Sequence, residues 1–128
     1  MSYLVAKTNN ATDWFTGVGL NTQNMGVSHK IEIHHIFPRA KIEDKYSKEM
    51  VNEIANFAFL SKKANLKISD RFPNIYLPRI DQERLKAQNV PLDKPLWEID
   101  RYEDFLKVRR KSLADAINRF MNLQRGGQ

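Results

Sequence analysis

His29-Lys30-Ile31-Glu32-Ile33-His34-His35-Ile36-Phe37-Pro38 is the run from which the rest of the chain can be ordered. Apolar and polar side chains alternate at Ile31, Glu32 and Ile33, the period-two pattern of a half-buried strand. Pro38 ends it, because proline has no N–H to give to a sheet ladder. Neighbouring strand residues point to opposite faces. A purely structural His34-His35 pair would therefore put one imidazole in the core and the other in solvent.

Downstream, residues 39 to 50 are charged and without strand period, so a loop or a short surface helix is expected. Ile54 to Leu60 is apolar and aromatic around Asn56, which suits a second strand. Ser61 can cap a helix through Lys62, Lys63, Ala64, Asn65 and Leu66, its hydroxyl accepting an unpaired first-turn N–H. Phe72-Pro73-Asn74 reads as a turn, Asp81 to Gln88 as a helical segment, and Pro91 and Pro95 as punctuation of a linker. From about Tyr102 to Leu123, the residues Tyr102, Phe105, Leu106, Leu113, Ala116, Ile117 and Phe120 form one stripe on a long amphipathic helix. Its other face, with Lys107, Arg109, Arg110 and Lys111, is expected in solvent. Upstream, Tyr3 to Lys7 looks like the end of an apolar helix stopped by Asn9-Asn10. Ala11 to Gly26, with Trp14, Phe15 and Leu20, reads as irregular or short helical structure over the core. The expected class is α+β. Two short antiparallel strands and a helix lie within a mainly helical domain that ends in a long amphipathic helix.

The 128 residues fit one domain, since at this length roughly two thirds of the unfolded surface can be buried. The motif core would span about 29–73 and a helical C-terminal part about 80–124. An apolar share of 41% and a charged share of 28% favour neither disorder nor a membrane protein. No stretch approaches the ~20 apolar residues of a membrane span, and Met1 to Phe15 does not read as a secretory signal. A cytoplasmic location is expected. The missing beginning of the first helix points to the C-terminal fragment of a longer chain. With no cysteine, any metal must be held by His, Asn, Asp or Glu. The formal charge of +6 suits a polyanionic partner but is shared by many proteins that bind none.

His34-His35-Ile36-Phe37-Pro38, then Asn56 in the second strand and Asn65 on the helix, resembles the HNH, or ββα-metal, nuclease motif. The resemblance implies a ββα-metal core in which His34 is a metal ligand and His35 the general base. It makes Asn56 the asparagine that braces the loop and the histidine backbone, and Asn65 the last metal ligand. The family name has His at that last position, where this chain has Asn. Asn52 is the rival of Asn56 for the bracing role, and the spacing to Asn65 favours Asn56. Lys67 follows the family's basic position after the ligand and is expected to touch phosphate. Lys62 and Lys63 are candidates for the same contact or members of a solvated face, and His29 and Lys30 could touch DNA. The segments from Ile33 through Asn-Phe-Ala-Phe-Leu-Ser-Lys-Lys-Ala-Asn-Leu-Lys-Ile-Ser to Phe72-Pro73, and Tyr102 to Phe120, resemble the C-terminal nuclease region of GmrSD-like restriction proteins. That likeness implies defence against foreign or modified DNA, with an upstream domain of the full-length protein as a further partner.

The chemistry agrees with these assignments. Phosphodiester hydrolysis needs help for the nucleophile, the spreading charge and the leaving oxygen, and one divalent ion can supply several kcal/mol of it. The amide oxygen of Asn65 suits magnesium, the first choice of cofactor. An imidazole at His34 suits manganese, nickel or zinc better, so metal identity stays open. Imidazole's ordinary pKa, near ~6.5, leaves a neutral fraction at cellular pH to accept a proton from water. The expected function is a metal-dependent DNA endonuclease; the alternative is a catalytically inactive HNH-like module that only binds DNA.

Overall fold

The computed structural model describes residues 13–15 and 31–126. The expectations for Tyr3–Lys7, for most of Ala11–Gly26 and for His29 and Lys30 lie outside the described residues. The chain is α+β, with strands β1 (Ile31–His35) and β2 (Phe57–Ser61) forming one antiparallel pair. Between them lie two single-turn helices, α1 (Arg39–Ile42) and α2 (Lys48–Val51), where a loop or short surface helix was expected. After them come α3 (Lys62–Ile68), α4 (Pro73–Tyr76), α5 (Gln82–Ala87) and the long α6 (Tyr102–Gly126). Short 3-10 turns link several of these elements, including one at Lys94–Trp97 in the expected linker. Phe72-Pro73-Asn74 opens α4 instead of forming a free turn, with Pro73 in the first helical positions, where its missing N–H costs nothing.

Local chemistry explains the boundaries. Ser61 ends β2 and begins α3, its Oγ accepting from Ala64 N at 3.1 Å. Asp81 caps α5 in the same way, through Glu83 N at 2.8 Å. One boundary differs from the sequence reading: Asn56 is the last residue of a 3-10 turn, Ile54–Asn56, and the strand begins after it. The buried Asn56 side chain needs that turn. Its Oδ1 accepts from Phe37 N at 2.8 Å, and its Nδ2 donates to the carbonyls of Phe37 and Val51, both at 3.1 Å. A side chain in a continuing ladder would point across the sheet, not along it.

The register pairs Ile31 with Ser61, Ile33 with Phe59, His34 with Ala58 and His35 with Phe57. The strand pair is half-buried, but β1 turns its polar side inward. His34 is buried, whereas Ile33 is 56% exposed. Ala58 and Leu60 of β2 are buried on the same side as His34, and Trp14, Tyr76 and α3 cover it. Side chains close the outer edge of β2. The Gln88 amide pairs with Phe59 N and O, both at 2.8 Å, and Asp13 Oδ1 accepts from Ser61 N at 2.7 Å. Arg109 donates to Phe57 O. Unpaired edge groups invite association with other chains, and here they are used internally.

Arg109 corrects the expectation for the last helix. It is buried, not solvated, and stands in the same stripe as Tyr102, Phe105, Leu106, Leu113 and Ala116. Lys107, Arg110 and Lys111 are exposed as expected. Phe37 packs its ring 4.9 Å from those of Tyr102 and Phe105, which ties the exit of β1 to the start of α6. No helix among the described residues is long and apolar enough to cross a membrane.

Candidate functional site

The turn from β1 into Phe37 is held rigidly from below. Ile36 N donates to Asn56 O at 2.8 Å, and the Asn56 side chain then grips both backbone groups of Phe37. Asn56 thus ties the exit of β1 to the turn before β2. Its sequence rival, Asn52, has a different contact: its Oδ1 lies 2.9 Å from His35 Nε2. Because a carbonyl oxygen only accepts, His35 Nε2 carries a proton and the neutral ring keeps its lone pair on Nδ1. The half-buried His35 ring also stands edge-on to Phe57, 5.0 Å away.

His34 points to the other face and meets Asn65 from α3, 31 positions on, with Nδ1 and Oδ1 2.9 Å apart. Three neighbours fix the chemistry of this contact. Tyr76 Oη gives its one hydrogen to the Ile36 carbonyl at 2.6 Å, so toward His34 Nε2, 3.0 Å away, it can only accept. His34 Nε2 therefore holds the proton. Burial lowers the His34 pKa to about 4, against the pull of the Asn65 contact and helped by the charge of His35, so the ring is neutral near pH 7. Its Nδ1 is then a bare lone pair. Asn65 Nδ2 donates to Glu32 Oε2 at 3.1 Å, which turns the Asn65 carbonyl toward that lone pair. Two acceptors thus face each other at 2.9 Å.

The other neutral tautomer would make this contact an ordinary hydrogen bond but move the clash to Nε2 and the Tyr76 oxygen, and the imidazolium, which would satisfy both sides, is opposed by burial. A shared cation would remove the conflict. Two ligands at ~2.1 Å from one ion and at right angles to each other lie about 3 Å apart, close to the observed separation. The donor set of imidazole nitrogen and amide oxygen fits a small divalent ion, with Glu32 and Tyr76 setting the orientation of the two ligands. Among the described residues no group of three or more His, Cys, Asp or Glu side chains converges.

The three lysines on α3 are all exposed. Lys62 precedes Asn65 by one helical step of three and shares its side, whereas Lys67, two positions on, does not. Lys67 instead lies over the Phe15 ring, 5.8 Å from its centroid, beside Arg71 and Arg79. Sequence reasoning missed Tyr76, Glu32 and the contact of Asn52 with His35. Glu32 had a signal, since it stands two places before His34 and so shares its face. Tyr76 had none, being 42 positions from the histidine it fixes.

No protein-family model, curated protein or solved structure matches the chain.

Proposed function

We propose that this chain is a metal-dependent DNA endonuclease of the HNH, or ββα-metal, type. One observation carries the reading: the His34 Nδ1 of β1 and the Asn65 carbonyl oxygen of α3, 31 positions apart in sequence, are held 2.9 Å from one another. Beside them in the chain, His35 has its Nε2–H anchored and its Nδ1 free to accept. His34 and Asn65 would hold one divalent ion. When bound, it would stabilise negative charge on the phosphoryl and leaving oxygens. Magnesium suits the amide oxygen, and manganese, nickel or zinc the imidazole.

His35 Nδ1 takes a proton from the attacking water while Asn52 holds the ring in the competent tautomer. Asn56 keeps the strand exit from shifting, so that the two adjacent histidines retain their opposite directions. Lys62 stands exposed on the side of the helix that presents Asn65, and it supplies a phosphate contact, with Lys63 and Lys67 exposed on the neighbouring faces for further ones. Hydrolysis leaves 5'-phosphate and 3'-hydroxyl ends. A role in restriction of foreign or modified DNA is proposed on the sequence resemblance.

Incubation of supercoiled plasmid with magnesium, with manganese and with chelator tests the reading. Nicked or linear product that forms with metal, and not with chelator or in His35→Ala, is expected. DNA binding without cleavage under every metal would refute the enzyme and leave the inactive binding module.

A further inference from the structure

A second feature lies one side chain from the His34–Asn65 pair. A cleft of about 410 Å³ opens between α3 and α4, within the roughly 300–1,000 Å³ typical of ligand clefts. Tyr76 joins the two places, since it lines the cleft while its hydroxyl holds His34. The floor is apolar and aromatic: Ile68 is fully buried, Phe15 half-buried, and Ile75 remains 53% exposed. Lys67, Arg71 and Arg79 stand on the rim, and among the described residues no acidic one lines the cleft. None of these three cations belongs to an ion pair among the described residues.

The combination is selective. Three unpaired cations attract phosphate, but phosphate alone gains nothing from an apolar floor. In a duplex, base faces are hidden by stacking and only edges and phosphates are offered to a protein. A single strand offers both a base face and its flanking phosphates, which is what aromatic and apolar platforms beside basic side chains recognise. We infer that this cleft holds an unpaired nucleotide of single-stranded DNA, its base against Ile75 and Phe15 and its phosphates on Lys67, Arg71 and Arg79. The inference deepens the nuclease reading and rests on it for the choice of nucleic acid. The enzyme then engages DNA whose strand next to the cut is open, as at a frayed end, a bubble or a flap.

The test is binding in chelator, where no strand is cut. A fluorescein-labelled single strand and its blunt duplex are titrated with the full chain and followed by fluorescence anisotropy. The single strand is expected to bind about tenfold tighter than the duplex, the scale of one stacked base. Ile75→Ser, which leaves all charges in place, should abolish that preference by weakening the single strand alone. Arg71→Glu should weaken single-strand binding at least about tenfold, and Lys107→Glu, on α6 and outside the cleft lining, should do far less. All these side chains are exposed, so folding is spared. Equal or tighter binding of the duplex, or equal losses in Arg71→Glu and Lys107→Glu, overturns the inference. Plasmid cleavage without single-strand preference removes the cleft and keeps the nuclease. Single-strand preference that Ile75→Ser abolishes, in a protein that cuts nothing under any metal, removes the nuclease and keeps the cleft.

Discussion

Arg109→Met tests what holds the site together. The Arg109 guanidinium is buried, has no carboxylate partner among the described residues and instead donates to three backbone carbonyls: Ala55 at 2.8 Å, Phe57 at 2.5 Å and Gln88 at 3.0 Å. Burial pulls its pKa down to about 9, which still leaves it charged at pH 7. Methionine fills similar space but leaves all three carbonyls without a donor, at about 1–3 kcal/mol each. Relief from burying an unpaired cation offsets part of this, and a net loss of about 3–5 kcal/mol is expected. For a domain of this size that lowers Tm by roughly 10–20 °C. Ala55 and Phe57 flank Asn56, so the amide of Phe37, which Asn56 accepts, should also exchange faster with deuterium. Arg109→Lys keeps the charge but not the fork, and it should fall between the two. Arg110 is the internal control. It is the next residue, half exposed, and paired with Glu53 at the surface, so Arg110→Met should cost less than about 1 kcal/mol. Thermal melts followed by circular dichroism measure both. An Arg109→Met protein that melts within about 2 °C of the parent would refute the clamp.

Replacing His35 by Ala should lower plasmid cleavage by about 10² to 10⁴ with little change in melting, while Asn52→Ala, which only frees the ring, should lower it less; parental turnover in His35→Ala would place the base elsewhere. His34 and Asn65 should behave as one unit. Either substitution should raise the metal concentration for half-maximal cleavage, and the double variant should add little to the worse single one, so additive losses measured by metal titration would count against a shared ion. Stability should also depend on pH through His34. Its folded pKa of about 4 lies below the ordinary 6.5, so between these values only the unfolded chain takes up the proton. The stabilisation is complete above pH 6.5 and is lost as pH falls toward 4, by at most roughly 3 kcal/mol. Urea midpoints in chelator at pH 7 and 4.5 check this, and an unchanged difference between the two pH values in His34→Asn would refute it.

The residues that were easy to place carry their reasons locally. The Ser61 cap lies within one turn of the N–H it satisfies, and the α6 stripe repeats along its own helix. Where the reading failed, the deciding partner was far away. Charge argued that Arg109 is solvated, although its position in the stripe, between Leu106 and Leu113, already put it on the inward face. What outweighed the charge was a row of carbonyls on β2 and the turn before it, more than 50 positions upstream. Asn56 sat in an apolar run that reads as strand, and only its bonds to Phe37 show why the chain must turn there first.

By itself the sequence determined the order strand, strand, helix, the helix starts at Ser61 and Asp81, the long terminal helix, and the absence of cysteine chemistry. Each follows from side-chain periods and caps that act within a few residues. It also offered two histidines and several asparagines as candidates for one site. The tertiary structure decided which side of β1 faces inward, because a period of two gives opposite faces without saying which of them α3, Trp14 and Tyr76 will cover. It decided the division of work between Asn52 and Asn56, and it brought Asn65 to His34 across 31 positions. Above all it set one partner against each ring nitrogen of His34, Asn65 at Nδ1 and the Tyr76 hydroxyl at Nε2. A hydrogen bond's direction is set by all the partners around the group, and packing alone assembles those partners.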